Sequence, residues 1–195
     1  LQGGEYTVIP ICQPLAVLVA DGYAAVGDSA FMTYSIKGSG IAYSFKAGTI
    51  LARCIMNDKL CRYDADVLWG YQKQFYKEIG FSACRTAIIK NILPYMTADQ
   101  ANELIKQNII STEEVAKLME ERLDAVLNAK GLTSIKDKLK LVKDNTVLKG
   151  IISNVAVWLG RFTVTEASFP TKYTLQDIQK WSSKYNEFFD SIRAE

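Results

Sequence analysis

The 195-residue chain contains no histidine. That absence excludes Ser-His-Asp triads, Cys-His dyads, His-ligated zinc and imidazole acid–base chemistry. Any catalysis must draw on carboxylates, Lys, Tyr, Cys, backbone dipoles or a cofactor. An excess of one charge is also lacking: 23 Lys and Arg stand against 21 Asp and Glu, a net charge of +2. Such a balance gives no electrostatic footprint for nucleic acid, and no nucleic-acid partner is expected. No run of about 18 or more apolar residues appears, so no membrane span is expected. No basic-then-apolar leader opens the chain, so the expectation is a cytoplasmic protein without a signal peptide. Proline is scarce, at 4 residues. Two of them, Pro10 and Pro14, argue against a central-strand role for the first segment.

What is present is an ordinary globular mixture, 49% hydrophobic and 23% charged, in a chain long enough to bury a sizeable core. The cysteines Cys12, Cys54, Cys61 and Cys84 form no CxxC pair. They read as free, mostly buried thiols in a reducing compartment.

Residues 5–12 (EYTVIPIC) are rich in β-formers, and residues 15–20 (LAVLVA) form an apolar run. Asp21 and Gly22 signal a turn, and residues 23–26 (YAAV) read as a short buried strand ending in Gly27 and Asp28. From Gly40 the pattern turns helical. Ile41, Phe45, Gly48, Ala52 and Ile55 share one helix face, and Ala47 with Gly48 keeps the helix slim. A second helical stretch runs from Asp64 to about Lys90, with Gly80 placed to kink or divide it and Pro94 to end it. Thr97 with Gln100 and Ser111 with Glu114 form capping boxes. A stripe of Val115, Leu118, Met119, Leu123, Val126 and Leu127 then leads to a C-cap at Gly131. Further signals begin at Ser134. Residues 148–159 predict a helix apolar on most sides. Thr174 with Asp177 caps a last helix, whose Ile178, Trp181, Tyr185, Phe188 and Ile192 form a packing seam. The basic run at 136–149 reads as a solvated helix face or, alternatively, a membrane-surface contact. The expected class is mainly α with a small N-terminal β segment.

One stretch carries chemistry. In residues 20–52 a strand leads to Gly27 and Asp28, then a loop, then Gly38, Ser39 and Gly40 opening a helix. An Asp at the end of a strand can accept hydrogen bonds from ligand hydroxyls. A helix opened by glycines leaves N–H groups free, with partial positive charge behind them. That end suits an anion or a polarised carbonyl. The bland alternative is a turn with a helix-capping Asp and a loop with an N-cap Ser.

This stretch resembles the second flavin-binding motif of FAD-dependent oxidoreductases of the glutathione-reductase-like fold, and within them the geranylgeranyl reductase family. The matching residues are Asp21, Gly22, Val26, Gly27, Asp28, Ala30, Gly38, Gly40, Ile41, Ala42, Ala47, Gly48 and Ala52. The resemblance covers residues 4–56. It implies that FAD is the cofactor and that Asp28 holds a ribityl hydroxyl. The amides around Ser29 and Ala30 would face the pyrophosphate. Those of Gly38, Ser39, Gly40 and Ile41 would lie near the N1–C2=O edge of the isoalloxazine, with Gly27 allowing close approach. Ser29, Ser35 and Lys37 depart from the family's usual Ala, Pro and Thr. Lys37 either adds positive charge beside the flavin or points to solvent.

The family's GxGxxG turn, which binds the ADP part of FAD, is missing. The resemblance therefore implies the C-terminal part of such an enzyme. Residues 1–57 would be the end of the FAD-binding domain, and 58–195 a helical C-terminal domain. Its partners would be the missing N-terminal half and a prenyl or other small-molecule substrate, with a peripheral membrane contact also open. The complete enzyme would reduce carbon–carbon double bonds of a polyprenyl-type substrate. A flavin monooxygenase or halogenase relative, or a helical interaction module without cofactor, is the alternative. The resemblance assigns no catalytic residue. Tyr6, Tyr34, Tyr43 and Tyr63 are candidate proton donors or structural residues, and Cys12 faces the flavin or is an inert thiol.

Overall fold

The computed structural model describes residues 8–91, 94, 96–107, 109, 111, 113, 114, 116, 137–140 and 142–194. The chain divides into two compact units, Leu1–Ala83 and Cys84–Glu195. Within the described residues the elements are mainly helical, with one two-stranded sheet.

The first unit opens with an extended segment. Residues 8–12 form no strand, contrary to the β reading of 5–12; Pro10 and Pro14 remove ladder donors there. Residues 5–7, and Tyr6 with them, lie outside the described residues. Strand β1 (Val19–Ala20) pairs antiparallel with β2 (Tyr23–Ala24), Val19 opposite Ala24. The turn between them is the expected one, with Gly22 at φ 68°. β2 is shorter than the strand read at 23–26, and Tyr23 is exposed where a buried strand was read.

Helix α1 (Ile41–Asn57) starts at the residue after its N-cap, Gly40. Its buried face is Tyr43, Ala47 and Ile50, not the face of Ile41, Phe45, Ala52 and Ile55, which is exposed. Asp64 then caps α2 (Ala65–Phe75) by accepting from Val67 N–H at 2.9 Å. Asp21 Oδ1 in the β-turn accepts from Ala65 N–H at 2.9 Å, so two carboxylates satisfy the start of that helix.

The buried Gln72 binds the segment leading into β1 with its side chain. Its Oε1 accepts from Leu18 N–H at 2.8 Å, and its Nε2 donates to Ala16 C=O at 2.9 Å. Tyr71 donates its hydroxyl to Ala25 C=O at 2.8 Å, and Tyr76 to Leu15 C=O at 2.5 Å. Burial pushes the Tyr71 phenol well above its usual range. These bonds tie α2 and Tyr76 to the main chain before and after the sheet.

The long helical stretch divides where Gly80 predicted. After α2 comes a π turn (Tyr76–Gly80), then α3 (Phe81–Lys90). Leu68, Trp69, Phe75 and Ile79 are buried as the apolar pattern requires.

In the second unit, α4 (Ala98–Lys106) begins with the complete Thr97–Gln100 capping box. The Ser111–Glu114 box also forms, with Ser111 N–H donating to Glu114 at 2.9 Å and Glu114 N–H to Ser111 Oγ at 3.1 Å. Partial burial raises the Glu114 pKa, but Lys138, at 2.7 Å, and Ser111 outweigh it and hold it below the usual value. Leu104, Ile109, Val142 and Leu148 make a small core. The stripe from Val115 to Leu127, Gly131 and Ser134 lie outside the described residues.

Helix α5 (Thr146–Ala167) is capped by Asn145 and is, by length and composition, long and apolar enough to cross a membrane. It buries Leu148, Trp158, Phe162 and Thr165, while Val147, Val157 and Val164 are exposed. It is therefore one-sided, not buried on most sides. Helix α6 (Leu175–Ala194) packs against it through the expected seam; Ile178, Trp181, Tyr185, Phe188 and Ile192 are all buried. Phe162 meets Phe188 and Phe189 at 5.5 and 5.7 Å between ring centroids. Each such pair adds about 0.5–1.5 kcal/mol beyond burial.

No disulfide joins Cys12, Cys54, Cys61 and Cys84; of these Cys84 alone is buried, and Cys61 is exposed.

Candidate functional site

The candidate site lies within the first unit. After β2 the chain makes a 3-10 turn (Gly27–Ala30). Gly27 enters at φ 74° and Phe31 leaves in the left-handed region at φ 56°. Phe31 N–H bonds back to Asp28 C=O and Met32 N–H to Gly27 C=O, closing the turn. The chain then buries Met32, Thr33, Tyr34 and Ser35 in succession. A tight reversal follows, in which Tyr34 N–H donates to Ser39 C=O at 2.7 Å and Gly38 N–H to Tyr34 C=O at 2.8 Å. Gly38 supplies φ 70° at the reversal, a conformation other residues reach at a cost. The result returns the start of α1 to the 3-10 turn.

Asp28 and Gly40 meet there. A Cβ built on Gly40 would stand 3.2 Å from Asp28 Oδ1 and 3.3 Å from Thr33 Oγ1. Thr33 donates its hydroxyl to Asp28 Oδ1 at 3.2 Å. Thr33 is buried, so it fixes the carboxylate from below, while Asp28 itself is exposed. No side chain caps α1. Asp28 is therefore not the helix cap that the bland reading required.

A cleft of about 580 Å³ opens between these elements, lined by Asp28, Gly38, Ser39, Gly40 and Ile41 together with Ile9, Ser44 and Phe45. Five of the eight sequence-nominated residues thus line one cavity. Gly27, Ser29 and Ala30 do not. Gly27 packs beside Ser44, Ser29 donates to Val26 C=O, and Ala30 is fully buried. Ile9, Ser44 and Phe45 were not nominated for the site from the sequence. Ile9 is remote in sequence, and the helical spacing from Gly40 was the one signal for the other two.

Chemically, the cleft sets a fixed carboxylate acceptor opposite an uncapped helix N-terminus. Such a helix end carries roughly half a positive elementary charge. One side can accept from hydroxyls and the other can receive an oxygen carrying negative charge. Gly38 and Gly40 keep side chains out of the way. These donors and acceptors fit the polar part of a dinucleotide cofactor.

The other nominated residues lie elsewhere. Lys37 is exposed, its ammonium 5.6 Å from the Tyr34 ring centroid. Tyr34 and Tyr43 are buried in an edge-to-face pair at 6.0 Å. Cys12 is half-buried, and its carbonyl accepts from Ser35 Oγ at 3.2 Å. Tyr63 is exposed, and its main chain closes a loop: Tyr63 N–H donates to Asp58 at 2.9 Å and holds that carboxyl below its usual range. A second cleft of about 530 Å³, between α1 and α2, is lined by Arg53, Arg62, Asp58 and Glu78 among others. Its opposed charges balance, and no nominated residue lines it. Among the described residues no cluster of three or more Cys, Asp or Glu could hold a metal ion.

No protein-family model matches the chain. It is similar to digeranylgeranylglycerophospholipid reductase of Methanothrix thermoacetophila, 30% identical over 112 residues, which covers 56% of this chain and 28% of that relative. It is also similar to digeranylgeranylglycerophospholipid reductase of Sulfolobus acidocaldarius, 23% identical over 155 residues, covering 74% of this chain and 34% of the relative. The similarity to geranylgeranyl-type reductases is thus weak to moderate and partial. The chain spans about a third or less of the length of these curated relatives.

Proposed function

We propose that this chain forms the C-terminal part of an FAD-dependent oxidoreductase, supplying one wall of the flavin site. The observation that carries the reading is the convergence of Asp28 with the uncapped, glycine-opened start of α1 in one cleft. Asp28, held by Thr33, accepts a hydroxyl of the cofactor. The amides of Ser39, Gly40 and Ile41 would serve its carbonyl edge; that of Gly38, expected to join them, is already bonded to Tyr34 C=O. A positive helix end there favours added negative charge. Bound flavin would supply hydride chemistry; the chain orients it and sets the field around it. By analogy with the two relatives, both named as reductases of a digeranylgeranyl lipid, the reaction is reduction of carbon–carbon double bonds in a polyprenyl-type substrate. The ADP half of the cofactor would be held by a separate N-terminal portion.

The test co-expresses the chain with a family N-terminal portion and measures flavin absorbance per complex after desalting. Retention is expected with the unaltered chain and a large loss with Asp28→Ala. Equal retention by both would remove Asp28 from the site.

A further inference from the structure

Helix α1 has two apolar faces. One, through Tyr43, Ala47 and Ile50, is buried. The other consists of Ile41, Phe45, Gly48, Ala52, Ile55 and Met56. Ile41 is 73% exposed, Phe45 74% and Met56 72%. At 3.6 residues per turn these six fall within an arc of about 100° and extend about 22 Å along the helix. Single exposed apolar residues are ordinary on a protein surface; a contiguous stripe marks an interaction site. The stripe runs into the cleft, because Ile41 and Phe45 line it beside Asp28 and Gly40. Midway along, a Cβ added to Gly48 would meet nothing within 4 Å. Gly48 and Ala52 therefore leave the helix backbone open to close approach by another backbone.

We infer that this face of α1 is the docking surface for the polypeptide that completes the flavin site. Three observations select that occupant. The larger part of each relative lies outside the matched region. The stripe is continuous with the cleft that needs completing. Small residues at its centre suit a packed backbone. The identity of the partner rests on the flavin reading above; the existence of the face does not.

The experiment co-expresses the tagged chain with the Methanothrix thermoacetophila reductase from which the 112 matched residues have been deleted. Co-purification is expected with the unaltered chain. A loss of roughly tenfold or more is expected with Phe45→Asp and with Ala52→Glu. Lys46→Glu, on the polar flank, should co-purify normally. Circular dichroism of each variant alone should match the parent, since the substituted positions are exposed. Failure of the unaltered chain to co-purify overturns the inference, as does equal co-purification by the stripe variants. So does a dimer of the chain itself that Ala52→Glu breaks without any capture of the partner. A stripe-dependent complex without flavin leaves the docking surface standing and removes the flavin reading. A flavin-bearing complex indifferent to Ala52→Glu does the reverse.

Discussion

Asp28 and Gly40 approach so closely that a single methyl group on Gly40 would stand 3.2 Å from the Asp28 carboxylate. The glycine is not required by its backbone, which sits at φ −113°, ψ −18°. It is required by the neighbour. Gly40→Ala must shift Asp28 by a few tenths of an ångström, because Asp28 is exposed whereas Thr33, 3.3 Å from the same point, is buried. The expected result is a small stability loss, about 1 kcal/mol, with a disproportionate fall in flavin retention. Urea unfolding and flavin absorbance of the co-expressed complex separate the two effects. Thr33→Val, which deletes the donor to Asp28, should lower retention in the same direction.

Gln72 does the work of a sheet neighbour. Its amide pairs Leu18 N–H and Ala16 C=O inside the first unit. Gln72→Leu preserves volume and leaves both main-chain groups buried without these partners. Each group so stranded costs about 1–3 kcal/mol. The urea midpoint should fall accordingly, with an unchanged denaturant slope if the transition remains two-state.

The contrast between these residues shows what the sequence could reveal. The caps at Thr97, Ser111 and Thr174 pair side chains three residues apart, so local spacing exposes them. The α6 seam is legible because that helix has one apolar face. Helix α1 has two, and periodicity alone cannot tell which is buried. The reading favoured the stripe through Phe45, whereas tertiary packing buries Tyr43, Ala47 and Ile50. Gln72 was invisible because its partners lie over fifty residues away. In the cleft, the glycines beside Asp28 and before α1, together with the resemblance to the flavin-binding motif, pointed to Asp28, Gly38, Ser39, Gly40 and Ile41. Ile9 joins them only through the path of the chain.

Gly80 gives a steric test of the π turn. A Cβ there would come within 2.8 Å of Tyr76 Cδ1 and 3.1 Å of Phe75 Cε1. Both rings are fully buried and cannot swing aside. Helix propensity alone would favour Ala over Gly by about 1 kcal/mol. Overpacking against rigid rings costs about 1–3 kcal/mol. Gly80→Ala should therefore lower the melting temperature, while Gly150→Ala in α5, where nothing lies within 4 Å, should raise it.

Cys84 makes the second unit sensitive to alkali. Burial pushes its thiol from the ordinary value of 9.0 up to about 12, against smaller lowering by the Tyr185 hydrogen bond and Arg85. Sulfur and phenol stand 3.2 Å apart. A thiol whose folded pKa is raised keeps its proton after the unfolded chain has lost its own. Its contribution is thus complete below pH 9 and lost as pH rises towards 12. The decline can reach about 1.4 kcal/mol per pH unit from this group. Cys84→Ala should start less stable from the lost packing but show a flatter decline across that window. The difference between the two pH profiles isolates this thiol from every other group and is the quantity to measure. At pH 8 iodoacetamide should label the exposed Cys61 and spare Cys84 until the unit unfolds. Parallel profiles would mean that the thiol is not held neutral by its surroundings.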